Sequence, residues 1–306
     1  MTPEPTVDDA FERLRPRLFG IAYRMLGSVG DAEEVTQDAW LRWQESGTEV
    51  SDLDGFLVTV TTRLSIDRLR RAARRRERYV GPWLAEPLVQ SLLQPSSVTS
   101  AGVPPSMTHD PAARSELADS LSFAFLVMLD ELTPTERAVF LLREAFGYPH
   151  DEIASLLDLT SAGARQHLSR ARRKLEGRHH FELDPDEVAI DITSRFLTAV
   201  AVGDVDAAVA LVSPDVILVS DGGPDHHAAR RTVVGPDRTV RLLVNIAKRL
   251  PPDAELEPAF VNGLPGMVIR IDGAAFMAMA FEISGGLVRS SWGVRNPDKL
   301  AHLDTR

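Results

Sequence analysis

Residues 150–175, HDEIASLLDLTSAGARQHLSRARRKL, leave the backbone few options. Ile153, Ala154, Leu156 and Leu157 form the inner face of one short helix, and Ala164, Leu168, Ala171 and Leu175 recur at helical spacing along a second. Only Asp158-Leu159-Thr160 separates them, with Leu159 as an apolar plug. So short a turn makes the two apolar stripes cross and bury one another, which is a helix-turn-helix. Arg165, Gln166, Ser169, Arg172 and Arg173 are then left facing outward. A helix fits the DNA major groove, and side chains near its start reach the base edges. Thr160 or Ser161 can cap that start, which itself favours a nearby phosphate. Arg165 and Gln166 therefore suit base reading, with Arg170, Arg172 and Arg173 on phosphates. By itself the segment also fits a plain amphipathic hairpin with a solvated basic face.

A net charge of -10 over 306 residues argues superficially against a nucleic-acid partner. The distribution of charge matters more, because phosphate binding needs only a local patch. Arg63, Arg68, Arg70, Arg71, Arg74, Arg75, Arg76 and Arg78 are opposed only by Asp67 and Glu77. Arg165, Arg170, Arg172, Arg173, Lys174 and Arg178 form a second tract, opposed only by Glu176. The remaining composition, 44% hydrophobic and 25% charged, is that of a globular protein long enough for two or three domains. No apolar run approaches the roughly 20 residues of a membrane span. The first residues lack a signal-peptide core. Cysteine is absent, which excludes disulfides and thiolate chemistry. A cytoplasmic protein with no membrane partner and no cofactor is expected.

Four stretches follow from the pattern. Residues 1–79 read as helices, with Phe11, Leu14, Leu18, Ile21, Met25 and Leu26 on one face of the first and Ala32, Val35, Ala39 and Trp43 on one face of the second. Residues 80–111 are a linker, because six prolines from Pro82 to Pro111 exclude a long helix. Its apolar Trp83, Leu84, Leu88, Leu92 and Leu93 predict that 81–94 docks on something. Residues 112–178 resume as helices, one from Ala112 to Leu129 and another opened by the capping box Thr133-Pro134-Thr135-Glu136. Residues 181–306 predict helices 185–202, 204–212 and 236–249, with strands 216–220, 256–261, 266–271, 276–283 and 287–294, an α+β domain.

The stretch LFGIAYRMLGSVGDAEEVTQDAWLRW resembles region two of extracytoplasmic-function sigma factors, and LTPTERAVFLLREAFGYPHDEIASLLDLTSAGARQHLSRARRKL resembles their region four. The resemblance covers about the first 178 residues. The rest resembles a SnoaL-like, ketosteroid-isomerase-type cone domain that extends one sigma subgroup. WLAEP (83–87), DGG (221–223) and NPDKL (296–300) look like short motifs of that subgroup. The chain departs from the second of these, since Pro224-Asp225-His226-His227 follows where a basic residue is expected. The implied fold is mainly α, two helical sigma domains with a helix-turn-helix, followed by an α+β SnoaL-like cone domain.

The resemblance implies binding to RNA polymerase core and to promoter DNA. Asp31, Glu34, Gln37, Asp38 and Trp40 would dock on the polymerase, where the acids can pair with arginines of a partner helix. Without the family context, a solvated acidic face is the simpler reading. At the minus-ten element a flipped base needs a pocket and a cationic track. The turn around Asp52, Asp54, Gly55 and Phe56 supplies the first, and Arg63, Arg68 and Arg71 the second, with Asp67 orienting neighbouring arginines. Ser161, Arg165, Gln166, Arg170, Arg172 and Arg173 would meet the minus-thirty-five element. Trp83, Leu84, Pro87, Asp221, Gly222, Gly223, Asn296, Pro297, Asp298 and Lys299 would carry regulation by the C-terminal domain.

Three roles for that domain stand side by side. It can brace the sigma regions, sense a small-molecule ligand, or act as an enzyme. A sensor pocket would draw on Phe196, Phe260, Met267, Phe276, Met279 and Trp292, although these also suit a plain core. Asp221, Asp225, His226 and His227 invite proton-transfer chemistry. Against it, the tyrosines are Tyr23, Tyr79 and Tyr148, so no phenol is expected in the domain to stabilise an enolate. Asp221 is expected to stabilise its Gly-Gly turn instead. Adjacent histidines make a poor chelating pair, so no metal is expected. The chain as a whole is read as a non-enzyme. Its alternative is a stand-alone helix-turn-helix regulator with a ligand-sensing domain, which would leave the acidic helix and first arginine tract unexplained.

Overall fold

The computed structural model describes residues 7–46, 52–76, 79–92, 121–176, 183–224, 226 and 228–304. They divide into two compact units, one built from residues up to 78 and from 124–178, the other from 79–98, 115–123 and 179–306.

The first unit is helical. It contains α1 (Val7–Leu26), α2 (Val29–Ser46), α3 (Leu53–Arg76), α4 (Phe123–Leu129, whose first residue falls in the other unit), α5 (Pro134–Glu144), α6 (His150–Leu157) and α7 (Ser161–Leu175). Local chemistry sets the boundaries. Gly27, at φ 68°, ends α1 with its N–H on the Tyr23 carbonyl, and Asp52 accepts from Gly55 N at 3.0 Å to open α3. The capping box at α5 is complete: Thr133 accepts from Glu136 N, and Glu136 accepts from Thr133 N at 3.1 Å. Leu18, Ile21, Ala22 and Met25 of α1, Ala32, Val35 and Ala39 of α2 and Leu57 of α3 are buried together with Val139, Leu141 and Leu142 of α5. Arg137, itself buried, ties α1 to α4 and α5. It donates to Met25 O at 2.8 Å and Leu129 O at 3.0 Å and pairs with Asp130.

The second unit is α+β. Its sheet has strands β1 (Val89–Ser91), β2 (Val212–Asp221), β3 (Val233–Val234), β4 (Glu255–Val261), β5 (Leu264–Ile271), β6 (Ala274–Ser284) and β7 (Leu287–Val294), in the order β1-β4-β5-β6-β7-β2-β3. Among the described residues the β2–β7 pair is parallel and the other strand pairs are antiparallel. Helices α8 (Asp186–Val202), α9 (Val205–Val209) and α10 (Pro236–Ala247) share a core with the sheet, in which Phe196, Val200, Val240, Leu243 and Val244 join Leu218, Met279 and Phe281. A short α11 (Pro297–Leu300) and a 3-10 turn (Ala301–Leu303) follow β7.

Two boundaries differ from expectation. Tyr79, expected at the end of the first helical stretch, and residues 80–92, expected at the start of a linker, belong to the second unit, and Val89 and Ser91 pair with Val261 and Ala259 as an edge strand. Prolines at 82 and 87 stop a helix but not extended backbone beside a sheet. Helix α9 ends at Val209 because Val212 already pairs with Val288 of β7. Residues 93–120, with the rest of the expected linker and the start of the expected 112–129 helix, lie outside the described residues.

Candidate nucleic-acid surface and a buried anchor for residues 79–88

The helix-turn-helix forms as its apolar spacing dictates. Asp158 ends α6 in the left-handed region at φ 53°, and Leu159 N returns to Ala154 O at 2.8 Å. Ala164, Leu168, Ala171 and Leu175 are buried, and Arg165, Gln166, Ser169, Arg172 and Arg173 are exposed. Thr160 is the cap, accepting from Gly163 N at 3.0 Å; Ser161 donates to Asp151 instead. Arg165 meets Asp151 only at 4.0 Å, and Arg172 meets Glu144 at 2.6 Å.

Arg170, expected on a phosphate, has a structural partner. Its Nε lies 3.3 Å from the buried Glu136 carboxylate, which also takes a 2.7 Å bond from Lys174. Burial works to raise the Glu136 pKa, but hydrogen bonds from Lys174 and Thr133 outweigh it and hold the carboxyl down at about 2. Glu136 thus caps α5 and pins the recognition helix α7.

Residues assigned to separate partners meet on α2 and α3. Arg68, expected on a phosphate track, lies 3.1 Å from Asp31, 2.8 Å from Glu34 and 3.2 Å from Asp38, the acids expected to dock on polymerase. Arg63 donates to Leu156 O at 3.1 Å and pairs with Asp158 at 2.8 Å, while Arg71 is exposed. Asp67 accepts from Arg70 at 3.3 Å. Gln37 is exposed. Trp40 packs its ring 4.3 Å from Phe11 and 4.8 Å from Trp43. The side chains of Arg74, Arg75 and Arg76, and residues 77–78, lie outside what is described.

In the second unit the three short motifs converge. Asp221, 1% exposed, accepts on Oδ1 from Tyr79 Oη at 2.5 Å and Gly223 N at 3.0 Å, and on Oδ2 from Leu84 N at 2.8 Å and Lys299 Nζ at 2.7 Å. Lys299 also donates to Leu84 O, and its ammonium lies 4.0 Å from the Trp83 ring centroid and 5.0 Å from that of Tyr79. Asn296 donates to Tyr79 Oη at 2.9 Å and caps α11 by accepting from Asp298 N at 3.1 Å; Pro297 opens that helix. The glycines leave room: a Cβ on Gly222 would stand 2.7 Å from Ala228, and one on Gly223 (φ 67°) would stand 2.8 Å from Asn296. Pro87 is buried, with its carbonyl 2.9 Å from His302 Nε2. Asn262 holds Leu88 by N→O and N→Oδ1 bonds of 2.8 and 3.0 Å.

This anchor corrects two expectations. The basic partner missing after the DGG motif comes from Lys299, 78 residues downstream. A phenol is present in the unit after all, because Tyr79 folds with it. Burial first, then its bond to Asp221, raises the Tyr79 pKa and keeps the phenol protonated. Asp221 is occupied by these partners, and Asp225 and His227 lie outside the described residues. Among the described residues no group of three His, Cys, Asp or Glu could hold a metal ion, and no helix is long and apolar enough to cross a membrane. Asn262 and His302 went unnoticed in the sequence, where lone polar residues far apart carry no periodic signal, and Tyr79 was counted outside the domain.

Of the side chains expected to line a pocket, Phe276 and Met279 do border a cavity. Phe196 packs against Phe281 at 5.7 Å, Met267 sits in the core, and Trp292 donates to Ser290 Oγ at 3.0 Å.

These elements define a helix-turn-helix protein with an appended α+β unit. Residues 10–75 match the family Sigma-70 region 2, and residues 122–175 match Sigma-70, region 4. The chain is 36% identical over 305 residues to the ECF RNA polymerase sigma factor SigJ of Mycobacterium tuberculosis (strain ATCC 25618 / H37Rv), covering 95% of this chain and 92% of the relative. It is 30% identical over 309 residues to a probable ECF RNA polymerase sigma factor SigI of M. tuberculosis (strain CDC 1551 / Oshkosh), covering 99% and 98%. The crystal structure of M. tuberculosis SigJ aligns with a TM-score of 0.74 at 34% identity, over 96% of this chain and 98% of that one. The chain therefore belongs to the extracytoplasmic-function RNA polymerase sigma factors.

Proposed function

We propose that this sigma factor, which directs RNA polymerase to promoters, is regulated by its own C-terminal unit acting as a brace on the segment that joins its two DNA-reading regions. The observation that carries the reading is the Asp221 carboxylate, which binds Tyr79, Leu84 and Lys299 at once and so holds residues 79–88 on the C-terminal unit. A buried ion pair has a strict geometry and loses most of its value when one partner leaves. The segment is therefore either fully seated or released, as a regulatory contact requires.

In this reading Asp31, Glu34, Gln37 and Asp38 meet polymerase core, and Arg63, Arg68 and Arg71 serve the minus-ten strand. Arg165 and Gln166 read the minus-thirty-five element, with Arg172 and Arg173 on phosphates. Arg63 and Arg68 are engaged by Asp158 and by the α2 acids, so DNA binding must first displace carboxylates from both. That requirement makes polymerase a precondition of tight promoter binding. A partner that takes the α2 acids sets Arg68 free.

The test is run-off transcription with purified core polymerase, comparing the full chain with one ending at Arg178 and with Asp221→Asn. Both variants should change promoter output relative to the full chain. Equal output from all three would remove the brace.

A further inference from the structure

The chain that connects the two sigma regions is held by the second unit at its far end as well as at its start. The region 2 match ends at residue 75, and the region 4 match begins at residue 122. Leu121, immediately before that point, is buried, and its carbonyl accepts from Asn262 Nδ2 at 2.9 Å. Phe123, fully buried, stacks on Trp292 with ring centroids 6.2 Å apart. The same Asn262 side chain accepts on Oδ1 from Leu88 N at 3.0 Å. One amide group thus joins two residues that stand 33 positions apart in the sequence.

The residue type suits that task better than it suits the turn it occupies. Asn262 and Gly263 form the two-residue connection between β4 and β5, where Val261 pairs with Leu264, and both have positive φ, 52° and 77°. Glycine and aspartate also tolerate the left-handed region, so the turn by itself does not call for an amide. Of the three, asparagine alone carries an acceptor and a donor together on a short side chain. Asn262 is completely buried, and a buried carboxamide is costly unless its hydrogen bonds are made. Its side chain therefore serves the two backbone segments that it joins.

Joining them shortens the connector. Leu88 N and Leu121 O, bonded to one amide, lie within about 8 Å of each other, whereas extended backbone of that length spans up to about 110 Å. A promoter sets its minus-ten and minus-thirty-five elements at a given separation, and the connector limits how far apart the two reading regions can act. We infer that Asn262 is a positioning residue that fixes the working length of the connector and so narrows the range of promoter spacings the protein serves. This role presupposes that the C-terminal unit regulates the sigma regions, and it adds to the Asp221 anchor a second hold whose loss has a different signature.

Two variants isolate it. Asn262→Asp keeps the left-handed turn and the acceptor for Leu88 N and removes the donor to Leu121 O. Asn262→Gly keeps the turn and removes both side-chain bonds. Hydrogen–deuterium exchange of the full chain should accelerate in residues 121–129 in both variants, and in residues 79–92 only in Asn262→Gly. Run-off transcription with core polymerase then compares promoters that differ only in the spacing of the two elements. Asn262→Asp should raise output from the longer spacing relative to the shorter by about fivefold, the equivalent of one net hydrogen bond. A protein that is merely less stable would lose output from every promoter in proportion and leave that ratio unchanged. Unaltered exchange in residues 121–129, or faster exchange with an unaltered spacing ratio, would overturn the assignment. A spacing shift in Asn262→Asp with no response to Asp221→Asn would remove the brace and keep this role; the reverse result would leave the brace standing without it.

Discussion

Lys299 holds its ammonium 2.7 Å from Asp221 Oδ2, with the two side chains only 8% and 0% exposed. Such a pair is costly to desolvate and persists because every lone pair is used: Asp221 takes four donors, and Lys299 also serves Leu84 O. Lys299→Met should cost about 3 to 5 kcal/mol, because it strands a buried carboxylate. Adding Asp221→Asn should recover part of that loss, since the stranded charge disappears. Denaturant unfolding of the full chain reads both values, and proteolysis within residues 79–92 should accelerate in the single variant. Equal stability of wild type and Lys299→Met would contradict the anchor.

Glu136 gives the helix-turn-helix an acid-sensitive support. Its carboxyl titrates at about 2, against an ordinary 4.5, because Lys174 and Thr133 overcome the opposing effect of burial. A folded pKa below the unfolded one adds stability that is complete above pH ~4.5 and is lost as pH falls towards 2. The contribution is up to roughly 3 kcal/mol. Stability of the full chain measured between pH 5.5 and 2.5 should fall more steeply than that of Glu136→Gln. Parallel curves for the two proteins would refute the assignment.

Most of the helical unit was legible because its signals are local. The capping box at Thr133 and Glu136 and the stripe Ala164, Leu168, Ala171 and Leu175 need no information from elsewhere in the chain. The principal strands were equally readable, since β7 spans Leu287–Val294 as its pattern indicates. The partnerships were not. Nothing along the sequence indicates that Arg68 will spend its charge on Asp31, Glu34 and Asp38, or that Lys299 will reach back to Asp221. Strand β1 was missed because three residues following two prolines give no alternation to detect. Its first residue, Val89, pairs with Val261, 172 residues away. The motifs WLAEP, DGG and NPDKL did point to one place, although geometry alone supplied the reason.

Arg68 should act as a masked DNA contact. Each of its ion pairs is weak at this exposure, but the three share a single guanidinium. Replacing Asp31, Glu34 and Asp38 together by Asn, Gln and Asn should release it. Single-stranded DNA binding should then strengthen, and its log-log salt slope should steepen by about 0.7 beyond the effect of net charge. The same triple change with Arg68→Gln serves as the control and should lose that increment. Co-purification with core polymerase should fall in both. An identical slope with and without Arg68 would end this reading.

The arginines of α7 should separate into three behaviours, although the sequence presents them as one tract. Arg165 stands on the exposed face near the capped N-terminus, held by Asp151 only at 4.0 Å. Arg165→Ala should weaken promoter binding by about 1 to 3 kcal/mol and relax the preference for the minus-thirty-five sequence. Arg173 is exposed near the other end of the helix, so Arg173→Ala should weaken all sequences alike and lower the salt slope by about one. Arg170 is bound to buried Glu136 at 3.3 Å. Arg170→Ala should therefore lower the melting temperature and leave the slope nearly unchanged. Salt-titrated binding of each variant to cognate and scrambled duplexes, with a melting curve for each, distinguishes the three. A slope change for Arg170→Ala equal to that of Arg173→Ala would mean that Glu136 releases its partner when DNA arrives, and α7 would then be pinned by Lys174 alone.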